Sequence, residues 1–137
     1  MTQTMTSNDL TSYYTAVQQI GKLRTPNHAR RWSQATLRTL ALNLDGRTKK
    51  KLAKALPEEL SKQLKRPFWL LHFRDKTLTR QEFQKMVARR AGNTDAQFAR
   101  HPVAATFHSL KSLIPDDVNR AVADTLSPEL SEMWQNA

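Results

Sequence analysis

Residues 79–92 read Thr-Arg-Gln-Glu-Phe-Gln-Lys-Met-Val-Ala-Arg-Arg-Ala-Gly. Thr79 followed three residues later by Glu82 is a capping box, in which each side chain bonds the backbone of the other residue at a helix start. Phe83 and Val87 then recur at helical spacing, and Gly92 is a typical residue to end a helix. The stretch therefore predicts one amphipathic helix between Thr79 and Gly92.

The same pattern of helix starts and apolar spacing occurs twice in the chain. Sliding the sequence by 70 residues without a gap aligns Val17 with Val87, Ala29-Arg30 with Ala99-Arg100, and Glu59-Leu60-Ser61 with Glu129-Leu130-Ser131. No window alternates apolar and polar residues as a half-buried strand does. We predict an all-α fold, a helical bundle built from two sequence-related repeats at a 70-residue offset.

The repeats and their boundaries follow from this alignment. Repeat one covers about residues 8–66, an aromatic connector covers 67–76, and repeat two covers about 77–136. A chain of 137 residues suits one domain, so we predict that residues 1–137 form a single all-helical domain. The apolar stripes are expected to meet in one core, which contains Leu37, Leu40, Phe107 and Leu110.

Further helix starts are marked by capping residues or prolines. We predict starts after Asn8-Asp9, at Thr25-Pro26, at a second capping box from Thr94 to Gln97, at Pro115, and at Ser127-Pro128. Pro102 lies within the helix that follows Thr94, and an interior proline removes a hydrogen bond, so we expect that this helix is divided in two.

The composition excludes several classes of protein. The chain has no cysteine, which excludes disulfide scaffolds, thiol catalysis, iron–sulfur clusters and cysteine-based zinc sites. Its N-terminus has no basic start or apolar run, and the longest apolar run, Phe68–Leu71, is far too short to cross a membrane. We therefore expect a cytoplasmic protein.

Catalytic and metal-binding patterns are weak throughout the sequence. His28, His72, His101 and His108 show no chelating pair spacing, since His101 and His108 are two helical turns apart. The acidic pair that follows Pro115 lies where the dipole of a helix start favours carboxylates. No glycine-rich phosphate loop or nucleophile elbow occurs. We predict no enzymatic activity, no metal, no cofactor and no small-molecule substrate.

Charge is the most informative functional feature, because it is concentrated in one repeat. Residues 22–66 contain 13 basic and 3 acidic residues, whereas residues 112–137 contain 1 basic and 5 acidic residues. The predicted basic face consists of Arg47, Lys49, Lys50, Lys51, Lys54, Lys62, Lys65 and Arg66. Such a face is either merely solvated or a docking surface for phosphate, anionic lipid or an acidic protein.

The connector between the repeats is unusually aromatic. Phe68, Trp69 and Phe73 are either buried between the repeats, or exposed beside basic residues as a hydrophobic docking element for a membrane or a protein. The sequence leaves both alternatives open.

The helix endings resemble those of a known bacterial family. Leu56-Pro57-Glu58-Glu59-Leu60 and the related stretch from Leu126 to Trp134 are similar to the helix endings of domain of unknown function twenty-two sixty-seven. The resemblance covers about Leu10–Trp134 and implies paired helical repeats, with no catalytic residue to carry over. The strongly basic stretch around Lys49 departs from the acidic or mixed charge expected of that family.

A second, local resemblance concerns only the start of repeat two. Leu78–Ile114, with Phe83, Val87, Ala88, Gly92, Ala99 and Phe107, resembles the opening helix pair of HU-type histone-like proteins. Those proteins hold DNA with a β-arm, and nothing after Ile114 resembles such an arm. The resemblance therefore implies no DNA binding for this chain.

Together these features favour a non-catalytic interaction module or adaptor. We expect its basic first repeat to dock an acidic macromolecular partner, with an acidic protein as the first choice. A nucleic-acid-binding protein is the alternative, and association with an anionic membrane surface is a weaker one.

Overall fold

A computed structural model describes residues 7–65 and 77–137, and this part of the chain has an all-α fold, as predicted. These two ranges contain eight helices and no strand. The helices are α1 (Ser7–Ile20), α2 (Pro26–Ala41), α3 (Gly46–Ala55), α4 (Glu58–Lys65), α5 (Arg80–Arg90), α6 (Ala96–Lys111), α7 (Asp116–Thr125) and α8 (Pro128–Asn136).

Three of the six predicted helix starts are capped as the sequence indicates, whereas α1 begins at Ser7, ahead of Asn8-Asp9, and Pro115 precedes α7 without a side-chain cap. Thr79 and Glu82 form the reciprocal capping box at α5. Thr25 caps α2 and Ser127 caps α8, each followed by proline in the first turn. At α6 the prediction is wrong by one residue: the cap is Asp95, whose carboxylate accepts a hydrogen bond from the Gln97 N–H at 3.0 Å.

Helices α2 and α6 pack against each other at the centre of the molecule. Leu37 and Leu40 on α2, together with Phe107 and Leu110 on α6, are completely buried and belong to one hydrophobic cluster. Helix α1 packs on both α2 and α6, and so does α5. Helices from each half of the chain therefore pack on core helices of the other half.

Corresponding helices lie 70 residues apart. Helix α6 begins and ends 70 residues after α2, and α7 is related to α3 by the same offset. This spacing agrees with the alignment on which the repeat was predicted. The repeat itself remains an interpretation of the sequence.

Pro102 does not divide α6, contrary to the sequence-based expectation. Helix α6 runs without a break from Ala96 to Lys111, with Pro102 buried inside it. The turn after α1 lies directly against this point, because a Cβ atom built on Gly21 would lie 3.1 Å from Pro102 Cα. Only a residue without a side chain allows this approach.

Candidate functional site

Helix α3 carries the candidate site, and its local sequence explains its position. The Asp45 carboxylate caps α3 by accepting a hydrogen bond from the Thr48 N–H at 2.7 Å. The Asp45 N–H donates to the Thr125 hydroxyl at 3.2 Å, which ties the start of α3 to the end of α7. Thr48, Leu52 and Ala53 are buried, so the remaining residues of α3 face outward.

The outward side of α3 is strongly basic. It carries five cationic side chains and no carboxylate: Arg47, Lys49, Lys50, Lys51 and Lys54. Lys49 is half-buried and the other four are exposed. Arg47 and Lys51, like Lys50 and Lys54, are four residues apart, where like charges repel each other. The charges therefore do not stabilise α3 itself.

Two cations of the predicted basic face are partly compensated. Lys51 Nζ lies 3.9 Å from Asp117 Oδ2 on α7, and Lys62 Nζ lies 3.6 Å from Glu58 Oε2 on α4. All four side chains are largely exposed, so each pair contributes at most about 1 kcal/mol. Within residues 7–65 and 77–137, Lys49, Lys50 and Lys54 form no ion pair.

A groove follows the uncompensated side of α3, and an equivalent groove follows α7. The α3 groove, of about 680 Å³, is lined by Gly46, Lys49, Lys50, Ala53 and Lys54. The α7 groove, of about 290 Å³, is lined by Asp116, Asn119, Arg120, Ala123, Asp124 and Gln135. The first five residues that line the α7 groove lie 70 positions after the five residues that line the α3 groove. One backbone arrangement thus carries three lysines in one groove and two aspartates with one arginine in the other.

The structure brings together only part of the predicted basic face. Lys62 lies on α4, which packs against α3. The side chain of Lys65 and the whole of Arg66 lie outside the described residues. Phe68, Trp69 and Phe73 also lie outside them, so the two alternatives for the connector remain predictions.

No metal site is formed by the part of the chain that the structure describes. No three histidine or acidic side chains in residues 7–65 and 77–137 are grouped so as to hold a metal ion. Asp116 and Asp117 occupy the first turn of α7, where the helix dipole favours them. The predicted absence of a bound metal is tested by elemental analysis of protein purified without an affinity tag.

No described helix is both long and apolar enough to cross a membrane.

Sequence reasoning missed a charged cluster at the junction of α1, α2 and α4. The Tyr14 hydroxyl donates to Glu59 Oε2 at 2.6 Å, and Arg30 pairs with the same carboxylate. The Arg30 guanidinium lies over the Tyr14 ring, 4.5 Å from its centroid. These residues are separated by up to 45 positions in the chain, and no local spacing indicates their contact.

A family model described as "Uncharacterized conserved protein (DUF2267)" matches residues 11–136. The chain belongs to the DUF2267 family. The resemblance based on its helix endings is therefore confirmed. A search of curated proteins finds no match. Membership of DUF2267 supports the all-helical fold and assigns no activity, so a functional proposal depends on the surface of this chain.

Proposed function

We propose that this DUF2267 protein is a non-catalytic interaction module that docks an acidic protein through the α3 groove. The cytoplasmic location expected from the sequence is part of this proposal. The observation that carries the proposed docking function is the pair of equivalent grooves on α3 and α7. Because α7 carries a groove lined by the corresponding positions without lysines, helix packing does not require Lys49, Lys50 and Lys54 on α3.

Among the described residues, those around the α3 groove favour an acidic protein over a single-stranded nucleic acid. Single-stranded nucleic acids are held by exposed aromatic rings within a basic stripe. Helix α3 contains no aromatic residue, and Trp32 is buried on α2. A membrane anchor would need exposed apolar side chains next to the lysines. Among the described residues Ile20 is the one large apolar side chain that is exposed, and it belongs to α1.

A charge-reversal experiment tests the docking surface. The probes are a labelled poly-glutamate peptide, a labelled DNA duplex, and vesicles of phosphatidylglycerol and phosphatidylcholine. Lys50→Glu with Lys54→Glu is compared with Lys85→Glu and Arg89→Glu on α5. Both pairs are exposed, four residues apart, and change the net charge equally.

We expect the α3 reversal to weaken peptide binding by about tenfold or more and to flatten its salt dependence. The α5 reversal is expected to leave peptide affinity nearly unchanged. Equal losses in both variants would mean that net charge alone attracts the peptide, and the proposed groove would be wrong.

The other two probes decide between partner classes. Tighter binding of the duplex than of the peptide, with a steep dependence on salt, would replace the proposal by nucleic-acid binding. Preferential binding of the anionic vesicles would replace it by membrane association. Capture from native lysate with and without nuclease then separates acidic proteins from nucleic acids as the natural partner.

A further inference from the structure

A second pocket lies between two turns of the chain, away from α3. The α1–α2 turn and the α5–α6 turn enclose a volume of about 320 Å³ beside the first turns of α2 and α6. We call it the turn pocket. Its size is at the lower end of the range of small-molecule sites.

The inner surface of the turn pocket is apolar. It contains Leu23, Trp32 and Phe98. The Trp32 and Phe98 ring centroids are 5.9 Å apart with tilted planes, so the two rings contact each other between α2 and α6. A flat apolar group can lie against this surface while its polar part remains at the rim.

The rim of the turn pocket is cationic. It is formed by Lys22, Arg24 and Arg31, all exposed, with His28 beside them. In the two described ranges none of the three cations forms an ion pair. Asp95 directly follows the lining residue Thr94 but does not itself line the pocket, and its carboxylate accepts a hydrogen bond from the Gln97 N–H at the start of α6.

Backbone geometry holds the rim in place. Lys22 has a φ of 59°, uncommon for a residue with a side chain, and the following N–H of Leu23 donates to the Gln18 carbonyl at 2.9 Å. The Gln18 side chain donates to the Arg24 carbonyl at 3.0 Å. The backbone that carries Lys22 and Arg24 is therefore already ordered, so binding an anion there requires ordering of their side chains only.

Arg31 reaches the opposite wall. A Cβ atom built on Gly92 in the α5–α6 turn would lie 3.7 Å from Arg31 Nη1. Burial lowers the pKa of the neighbouring His101, and the positive charges of Lys22 and Arg100 lower it further. Cationic groups therefore converge on the pocket from α2 and from the α1–α2 turn.

We propose that the turn pocket binds a small organic phosphate of about mononucleotide size. The phosphate is held by Arg24, Arg31 and Lys22, and the organic part lies against Trp32 and Phe98. Arginine forks match phosphate oxygens through paired hydrogen bonds. The molecule is bound and released without a chemical change.

This site is distinct from the proposed docking surface. Helix α2 has 16 residues and is therefore roughly 24 Å long, with the turn pocket at its first turn and α3 following its last. The two sites can therefore be changed separately, and failure of one proposal leaves the other open to its own test.

Titration of the isotope-labelled protein, followed by amide NMR at constant ionic strength, tests the proposal. The probes are adenosine 5′-monophosphate, inorganic phosphate and adenosine. We expect the monophosphate to shift the amide signals of residues 21–25 and 91–95, phosphate to shift them more weakly, and adenosine to leave them unchanged.

Matched variants assign the binding to the rim. Arg24→Gln with Arg31→Gln is expected to raise the Kd for the monophosphate by about tenfold or more, because charge-assisted hydrogen bonds are lost. Lys50→Gln with Lys54→Gln on α3 removes the same charge and is expected to leave the Kd unchanged. The spectrum of each variant reports whether it is folded.

Three outcomes would overturn the proposal. The first is that adenosine binds as well as its monophosphate. The second is that the rim and α3 variants weaken binding equally. The third is that a single-stranded oligonucleotide binds while the monophosphate leaves the turns unshifted, which would indicate a nucleic-acid surface instead.

Discussion

Tyr13 and Tyr14 are neighbours on α1 whose hydroxyl groups have different partners. The Tyr13 hydroxyl shares a 2.6 Å hydrogen bond with Ser33, whereas Tyr14 donates to the Glu59 carboxylate. Burial raises the pKa of both phenols above the ordinary value of about 10, and Glu59 raises that of Tyr14 further. Both phenol groups therefore remain protonated in the folded chain at pH values at which they ionise in the unfolded chain.

The higher pKa of both phenols in the folded chain predicts a loss of stability in alkaline solution. Above about pH 10 the unfolded chain releases phenolic protons that the folded chain keeps, so the free energy of unfolding falls as the pH rises. We expect Tyr14→Phe to cost about 1 kcal/mol at neutral pH, because one hydrogen bond is lost. As the pH rises above about 10, the Tyr14→Phe variant is also expected to lose less stability than the unmodified chain. Urea unfolding at a series of pH values measures both, and parallel pH profiles would contradict the assignment.

Two glycines differ sharply in the space around them. A Cβ atom on Gly21 would lie 2.6 Å from the Val17 carbonyl oxygen and close to the backbone of α6, whereas nothing lies within 4 Å of one on Gly46. Gly21→Ala is therefore expected to destabilise the protein by about 1–3 kcal/mol. Gly46→Ala is expected to be neutral, or to stabilise α3 by up to about 1 kcal/mol. Thermal unfolding of both variants makes the comparison, and equal effects would mean that the turn has room to move.

At the scale of an element, the buried face of α3 is similar to that of α7, whereas the exposed faces of the two helices differ. Thr48 and Leu52 are buried on α3 at the positions where Val118 and Val122 are buried on α7. Lys50→Glu with Lys54→Glu is therefore expected to leave helicity unchanged and the free energy of unfolding within about 1 kcal/mol. Circular dichroism and urea unfolding check this. A large loss of helix would mean that the lysines support the fold, and the binding test would then need neutral glutamine variants.

The same helices indicate what could be predicted from sequence and what could not. The starts of α2, α5 and α8 are local, since a cap and its partner are only a few residues apart, and they were predicted correctly. The cap of α6 was misplaced by one residue because Thr94 and Asp95 are adjacent and are both good caps. The continuity of α6 through Pro102 was not predicted, because by local rules an interior proline removes a hydrogen bond and breaks a helix.

Part of the candidate site could likewise be predicted from the sequence, and part could not. That Lys49, Lys50 and Lys54 share one basic stretch is evident from the sequence, because they belong to a single short helix. The equivalent groove on α7 and the turn pocket are not evident, because each depends on contacts between distant segments. Arg31 and Gly92 meet only when α2 and the α5–α6 turn are packed together.

At the scale of the whole molecule, the two halves share one core. Helix α1 packs on α6 and α5 packs on α2, so neither half keeps its buried surface when the other is removed. A fragment covering residues 1–66 is therefore expected to lose most of its helicity. A fragment that unfolds as cooperatively and at the same urea concentration as the full chain would contradict the shared core.

Leu40→Ala tests the same coupling within the intact chain. Leu40 is completely buried on α2, and α6 packs directly against this helix. Its truncation is expected to cost about 2–5 kcal/mol, the sum of lost burial and the cavity left behind. Because α2 and α6 share the cluster, amide exchange should accelerate in α6 by as much as in α2, and unfolding should remain a single transition. Acceleration confined to residues 7–65, or a second unfolding transition, would mean that the halves are stable separately. In that case the single-domain prediction would be wrong.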